Sequence, residues 1–411
     1  MARPTATPPP RTRSGGGGGP DSEPDWLTER RRKGAALTSE LALPSQKQKG
    51  WEFTDLTELD LDAYPASEGR IEGLEAGVDA SDGPPVVLAL REAAERLPDV
   101  VSERFGSLVS RDDPFVARNE RDWRSGVLVY VPRGQRLDKP VQLSVYQEDE
   151  GTALNWRALI VLEEGAEAEI WERYLSADDG TDGLFNGVVE LWIGPGANLR
   201  YVCEQELSER TWVFATQRAE LERDASLDWV ALGFGSARGK VRMETKLAGP
   251  GSSAKVTGAY LGASAQHLDF DTTQEHAAAH TTSDLSFRGV LSDRATAVWR
   301  GMIRVDPGAQ QTDAFQESRN LLLSKDAHAD AIPGLEIEAN DVRCTHAAAV
   351  AQVDREQLFY LRARGLLEPQ AKRLIIDGFL QELAERTAEG PVRDALAAAL
   401  DRRLGEILPQ T

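Results

Sequence analysis

Two short stretches, Ala197-Asn-Leu-Arg-Tyr201 and Ala225-Ser-Leu-Asp-Trp229, decide the fold of this chain. In each stretch a small residue is followed by apolar residues two and four positions later, as in a strand with one buried face. The pattern recurs at four further places, which begin at Ala166, Ser252, Ala295 and Ala327. The six copies start 31, 28, 27, 43 and 32 residues apart. A strand repeat of this length predicts a β-helix of stacked strands, because the strands of a sandwich usually recur every ~8–12 residues.

The strand-like patterns begin at Gly126-Val-Leu-Val-Tyr-Val-Pro132 and end at Val353. We therefore divide the chain into a disordered Pro- and Gly-rich tail (1–24), an N-terminal helical region (25–125), a β-helix core (126–353) and a C-terminal helical domain (354–411). Within the N-terminal region a helix is predicted at 25–42. A second helical stretch is predicted at 86–109, with a break at Leu97-Pro98 because proline lacks the N–H that a helix needs.

Residues 354–411 have helical periodicity throughout. Asp354 and Gln357 suit the start of a helix, and Gly365 suits its end. Two sets of apolar residues then recur at helical spacing, namely Ala371, Leu374, Ile375 and Phe379, followed by Val392, Leu396, Leu400, Leu404 and Ile407. These faces either pack against the β region or bind a partner.

The charge balance and the cysteine count exclude several classes of protein. The 411 residues include 47 Lys and Arg against 67 Asp and Glu, a net charge of -20, which disfavours a nucleic-acid-binding role. No run of 18 apolar residues is present to span a membrane, and the N-terminus lacks the apolar segment of a secretory signal. Two cysteines are too few for a disulfide framework, a zinc finger or a four-cysteine cluster site, and we predict a cytoplasmic protein.

Cys344-Thr-His346 is the sharpest local feature. On a strand the thiol and the imidazole would point to the same side, and both are good ligands for iron or zinc. A protonated histidine would also lower the pKa of a neighbouring thiol. Two ligands cannot complete an iron–sulfur site, so the missing ones would come from another chain. The alternative is a buried cysteine beside a hydrogen-bonded histidine.

For four other candidate sites the sequence favours a structural role. His267-x-Asp269-x-Asp271 has the spacing of one strand face and could form a metal or acid–base site. His276 and His280 would suit zinc only on a helix, which the surrounding β pattern disfavours. Cys203 is predicted to pack in the core as a small apolar residue. In Leu335-Glu-Ile-Glu338 the leucine and isoleucine indicate a buried face, with the carboxylates at the surface.

Several motifs occur in the order found in one family. They are Trp51-Glu-Phe-Thr-Asp-Leu56, Asn320-Leu-Leu-Leu-Ser324, the run from Leu335 through Cys344-Thr-His346, and Gln357-Leu-Phe-Tyr-Leu with Gly365. Together they resemble the SufB/SufD family of iron–sulfur cluster assembly scaffolds, over roughly residues 25–385. The Phe-Tyr-Leu helix, the length and the scarcity of cysteine resemble the SufD branch more than the SufB branch.

The resemblance implies a right-handed parallel β-helix with helical ends and a non-enzymatic scaffold function. It implies a heterodimer with a SufB-like chain, an indirect link to a sulfur donor, and a transient iron–sulfur cluster at the interface with His346 and Cys344 as candidate ligands. It also implies that SufC-like ATPases bind the C-terminal helices and rearrange the interface, and that FADH2 associates with the whole complex. The residues assigned to the ATPase face are Gln357, Phe359, Tyr360, Arg364, Leu374 and Phe379.

This chain departs from the family pattern after His346, where Ala347 and Ala351 replace two glycines. If either position required a positive φ, alanine would cost about 1 kcal/mol or more. Two other readings stay open. One is a β-helix enzyme that acts on polysaccharides through His267, Asp269 and Asp271, and the other is a SufB-like scaffold that works as a homodimer.

Overall fold

The computed structural model describes residues 23–74 and 85–408. The tail predicted at 1–24 lies outside this part of the chain, except for its last two residues. The described helices are α1 (Asp25–Glu40), α2 (Leu90–Arg96), α3 (Pro98–Arg104), α4 (Pro114–Asp122), α5 (Arg355–Ala363), α6 (Glu368–Ala384) and α7 (Pro391–Ile407), with one 3-10 turn at Leu61–Ala63. None of these helices is long and apolar enough to cross a lipid bilayer.

Nineteen strands occur in the same described ranges. They are β1 (Ala66–Ser67), β2 (Arg70–Glu72), β3 (Val86–Ala89), β4 (Ser125–Val131), β5 (Val141–Gln147), β6 (Thr152–Leu162), β7 (Glu167–Ser176), β8 (Gly183–Ile193), β9 (Asn198–Glu206), β10 (Thr211–Leu221), β11 (Ser226–Gly233), β12 (Arg238–Leu247), β13 (Ser253–Gly262), β14 (His267–His276), β15 (Thr282–Leu291), β16 (Thr296–Val305), β17 (Thr312–Leu322), β18 (His328–Ile337) and β19 (Val342–Gln352).

Strands β4 to β19 form a β-helix of eight turns, each made of two strands. The even-numbered strands make sheet A, in the order β18-β16-β14-β12-β10-β8-β6-β4, and the odd-numbered strands make sheet B, in the order β19-β17-β15-β13-β11-β9-β7-β5. Neighbours within this stack are parallel, for example β10 with β12 and β11 with β13. The predicted parallel β-helix with helical ends is therefore confirmed.

The six copies of the repeat point their alternate residues into the space between the two sheets. Tyr201, Trp229 and Trp299 are fully buried there, next to small residues such as Ala197 and Ala225. The first four copies lie at or just before strands of sheet B, whereas the last two belong to sheet A. The 43-residue interval arises from this change of sheet.

A ladder of left-handed residues forms the corners that lead from sheet A to sheet B. Each of them has a φ between +57° and +77°, and its N–H donates to a carbonyl of the following turn at 2.6–3.4 Å. The ladder consists of Gly134, Gly165, Gly196, Asp224, Gly251, His280 and Gln311. The left-handed conformation suits glycine, and it costs other residues about 1 kcal/mol or more. The stacked hydrogen bonds help to hold Asp224, His280 and Gln311 in it.

The N-terminal helices pack on the outer face of sheet A. A buried ion pair holds this contact, since Nη2 of Arg157 on β6 lies 2.8 Å from Oε2 of Glu190 on β8. Glu190 also accepts the backbone N–H groups of Gly106 and Leu108. These bonds satisfy the buried Glu190 carboxylate, which would otherwise be costly. The predicted helix at 25–42 is α1, but the stretch predicted as helical from 86 begins with β3, because residues 86–89 pair with β4. The helix break at Leu97-Pro98 is confirmed.

Helices α6 and α7 pack on the outer face of sheet B, against residues such as Val230 and Leu261. The α7 face predicted from Val392, Leu396, Leu400 and Leu404 is buried. Helix α6 turns Ile376, Leu380 and Leu383 toward the sheet instead, and it leaves Leu374 53% exposed. The four residues predicted to share one face of α6 are therefore not all used in packing.

Candidate functional site

The last turn of the β-helix consists of β18 and β19. In the described part of the chain each of these strands has one hydrogen-bonded neighbour, β16 for β18 and β17 for β19. The opposite edge of each strand therefore presents its free backbone groups for pairing with another chain.

The inward-facing positions of this turn follow from the strand register. Leu335 and Ile337 stand beside Ile303 and Val305, which are fully buried in the preceding turn. Val350 stands beside the buried Asn320. At the end of the stack nothing in the described chain covers these side chains, so Leu335, Ile337 and Val350 are 38%, 42% and 45% exposed. The prediction that Leu335 and Ile337 share one inward-facing side of the strand is correct, but the prediction that this side is buried is wrong. We call these three residues, with Cys344 and His346, the open end.

Cys344 and His346 lie on β19 in register with the buried Ala314 and Gln316. Both side chains therefore face the same side, as predicted from their spacing. Cys344 is half-buried and His346 is exposed. Burial and the nearby Asp313 carboxylate raise the pKa of Cys344. Desolvation is the larger of these two causes.

The ligand role of Cys344 and His346 stays a prediction. Within 23–74 and 85–408, no group of three or more His, Cys, Asp or Glu side chains is arranged to hold a metal ion. The neighbouring Ala347 and Ala351, which replace family glycines, lie in β19 and neither has a positive φ. Alanine therefore fits the backbone at both positions without strain.

The acidic candidate on β14 has a structural role. Thr54 of the N-terminal segment donates to Oδ2 of Asp269 (2.6 Å), and its Oγ1 lies 3.2 Å from Nε2 of His267. Lys240 contacts Asp269 (2.8 Å) and Asp271 (3.4 Å). Burial lowers the pKa of His267 and raises that of Asp271. The cluster fastens the N-terminal segment to sheet A and does not form the open carboxylate groove that a polysaccharide enzyme needs.

The remaining histidine and cysteine candidates lie in the scaffold. His276 is the last residue of β14, and its Nδ1 and Nε2 lie 2.7 Å from Thr281 Oγ1 and 2.8 Å from Ser283 Oγ, respectively. His280 occupies a corner of the β-helix. The expected absence of a helix at this pair is confirmed. Cys203 is buried inside the β-helix, and burial raises its pKa to about 12.

The residues predicted to contact an ATPase differ in exposure. Phe359 and Tyr360 on α5 are 75% and 55% exposed, and no residue of α5 is buried. Arg364 lies over the Tyr360 ring, with 4.9 Å between Cζ and the ring centroid. Phe379 is half-buried beneath Arg288, at 5.6 Å.

Gln357 belongs to a groove between α5 and α6 that the sequence pattern did not reveal. The groove is open to solvent and has a volume of about 570 Å³. Its wall consists of Asp354, Glu356, Gln357, Tyr360, Leu361, Leu374 and Ile375. The exposed Leu374 is therefore one of its lining residues, which explains why the apolar face of α6 is wider than its packing against sheet B requires.

Comparison with known proteins identifies a family. Residues 145–379, more than half of the chain, match the family model described as "SUF system FeS cluster assembly, SufBD core domain". The iron–sulfur cluster assembly protein SufD of Bacillus subtilis is 28% identical over 93% of this chain and 95% of its own length. SufD of Escherichia coli is 28% identical over 88% and 89%, and an iron–sulfur cluster assembly SufBD family protein of Mycobacterium tuberculosis is 29% identical over the same shares. The chain therefore belongs to the SufBD family of the SUF iron–sulfur cluster assembly system.

Proposed function

We propose that this chain is a non-enzymatic scaffold subunit of a Suf-type assembly complex. It pairs with a SufB-like chain through the open end, supplies His346 and Cys344 to a nascent cluster at that interface, and is bound by a SufC-like ATPase through α5 and α6. The exposed inward-facing side chains of the last β-helix turn carry the proposal.

The pairing rests on the apolar character of the open end. Leu335, Ile337 and Val350 occupy positions that are buried in the preceding turn, and exposing them to water is unfavourable. The free edges of β18 and β19 add unpaired backbone groups beside them. A second β-helix placed end to end would cover the apolar residues and pair both edges.

The ligand assignment rests on chemistry and position together. Cys344 and His346 are the inward-facing residues of this turn that can bind iron, and a partner that covers the open end would meet them directly. Iron–sulfur clusters usually take four ligands, so the partner would supply the rest. Because the pKa of Cys344 is raised, binding of the thiolate would release a proton.

The ATPase contact rests on α5, none of whose residues is buried. Its exposed Phe359 and Tyr360 are the type of aromatic side chains that anchor protein interfaces. The sequence contains no phosphate-binding Gly-x-x-x-x-Gly-Lys-Ser/Thr loop, so ATP hydrolysis belongs to the partner. Because α6 and α7 are packed on sheet B, movement of bound ATPases would pull on the β-helix and rearrange its open end.

Other finer assignments remain proposals. The boundaries of the four regions and the cytoplasmic location rest on the sequence pattern and composition. The indirect link to a sulfur donor and the association of FADH2 with the whole complex rest on the resemblance. No residue of this chain is assigned to FADH2.

The ligand proposal is tested by anaerobic reconstitution of the complex with the SufB-like partner. His346→Ala and Cys344→Ser should each lower the cluster yield and its visible absorbance. His328→Ala is the matched control, since His328 is also exposed but lies on the outer side of β18. If His346→Ala matches the wild-type chain, the assignment of this ligand fails.

The ATPase proposal is tested with Phe359→Ser, which should abolish co-purification with the SufC-like ATPase. Phe53→Ser replaces another exposed phenylalanine, which is 38% exposed in the N-terminal region, and should retain binding. A point variant is preferable to deletion of 354–411, because deletion would uncover the apolar face of sheet B. Retained binding by Phe359→Ser contradicts the proposal.

The partner assignment is tested by mass measurement of the chain alone and with the SufB-like chain. We expect an equimolar heterodimer in the mixture. A homodimer that does not exchange subunits with the SufB-like chain would support a SufB-like homodimeric scaffold instead.

A further inference from the structure

The groove between α5 and α6 is lined by apolar residues and by charged residues of one sign. Tyr360 and Leu361 of α5 and Leu374 and Ile375 of α6 form the apolar part. The charged residues of its wall are Asp354 and Glu356, and both are acidic. A groove of this kind favours an apolar side chain accompanied by a positive charge.

Of the nearby cations of this helix pair, Arg355 has no ion-pair partner in the described part of the chain and is not part of the groove wall, whereas the others are engaged. Arg362 lies 3.3 Å from Glu368, which also binds Lys372 at 2.9 Å. Arg364 stacks on Tyr360. Within 23–74 and 85–408, Glu356 has no ion-pair partner, and Oδ1 of Asp354 accepts the backbone N–H of Glu356 in the first turn of α5. The Glu356 carboxylate is thus available to a cation from outside the chain.

We propose that this groove receives an apolar side chain of the SufC-like ATPase that is flanked by a lysine or arginine, and that Glu356 pairs with this cation. The inference rests on the proposed function, which assigns the α5–α6 face to the ATPase. It adds the chemistry of the ATPase segment and a second anchoring point. Phe359 is not part of the groove wall, so the two contacts are separable by mutation.

The experiment measures the affinity of the full-length chain for the SufC-like ATPase by titration calorimetry, at two salt concentrations. Exposed ion pairs contribute little, so Glu356→Gln should weaken binding by about two- to fivefold. Glu356→Lys replaces attraction by repulsion and should weaken it by about tenfold. Both variants should also show a smaller salt dependence than the wild-type chain, because one interfacial charge pair has been removed.

The matched control is Asp394→Lys. Asp394 is also an exposed acidic residue in the first turn of a helix, and it lies on α7, outside the groove. It therefore reports the effect of the net charge change and of the helix terminus. Circular dichroism and thermal melts verify that each variant is folded.

Three results would overturn the inference. The first is unchanged affinity and salt dependence in both Glu356 variants while Phe359→Ser abolishes binding. This result would support ATPase binding at this face but would contradict the pairing of Glu356 with a cation. The second is an equal loss in Asp394→Lys and Glu356→Lys, which indicates a general charge effect. The third is a change of self-association in Glu356→Lys without a change in ATPase affinity, which makes a second copy of this chain the occupant.

Discussion

Replacing Glu172 by glutamine should remove a large part of the pH dependence of stability. This carboxyl lies inside the β-helix, in register with the buried Leu143 and Cys203. It accepts hydrogen bonds from the hydroxyls of Tyr174 (3.1 Å) and Tyr201, and burial raises its pKa to about 7. Because the pKa in the folded chain exceeds the ordinary value of 4.5, stability is present at low pH and is lost as pH rises toward and through 7.

The magnitude follows from these two pKa values. Ionisation of Glu172 costs about 1 kcal/mol of folding free energy at pH 5.5 and about 3 kcal/mol at pH 8.5. The wild-type chain should therefore lose about 2 kcal/mol more than Glu172→Gln when the pH is raised between these points. Other titrating groups cancel in the difference between the two proteins.

Urea unfolding at pH 5.5 and 8.5 measures this difference. Glu167→Gln is the control, because Glu167 lies on the same strand but is exposed, and it should follow the wild-type pH dependence. If Glu172→Gln and the wild-type chain lose the same free energy, the inward-facing, buried position of this carboxyl is wrong.

Three further predictions concern the scaffold and the open end. Burial lowers the pKa of His276 to about 4, below its ordinary 6.5, so stability is lost as pH falls through this range. His276→Gln should reduce that loss in urea unfolding, and an undiminished loss would contradict the neutral, buried imidazole. Gly196 has φ +65° and room for a Cβ, so Gly196→Ala should cost about 1 kcal/mol through backbone strain alone, whereas Gly308→Ala, with equal room and no such φ, should cost less than half as much. Equal shifts of the melting temperature would refute this reasoning. Because the pKa of Cys344 is raised, cluster loading of the complex should improve from pH 7 to 9. Cys344→Ser should flatten this dependence, and a slope retained in that variant would exclude thiolate binding.

The stacked-strand fold could be predicted because alternate small and apolar residues mark the inside of six of the eight turns. The corner ladder is the more regular signal, but glycine occupies only four of its seven positions. Asp224, His280 and Gln311 adopt the same left-handed conformation within stacked hydrogen bonds, and no local pattern reveals this. The sequence could therefore predict that His276 and His280 do not lie on a helix. It could not predict that His276 ends a strand and that His280 occupies the corner that follows it.

The candidate site could be predicted only in part. The spacing of Cys344 and His346 places them on one strand face, but the exposure of Leu335 and Val350 depends on where the stack of turns ends. Burial along a strand is decided by neighbouring turns, which local periodicity does not report. The groove between α5 and α6 depends similarly on the angle between the two helices. The residue spacing within either helix does not predict this angle.

The most direct test of the account is whether the His346 imidazole binds the cluster. The chain is labelled with ¹⁵N-histidine, assembled anaerobically with the unlabelled SufB-like partner and loaded with a cluster. Pulsed electron paramagnetic resonance of the reduced cluster should detect one ¹⁵N coupling, which disappears in His346→Ala and persists in His328→Ala. A cluster without a ¹⁵N coupling, or a coupling that survives in His346→Ala, would contradict the proposed role of the open end.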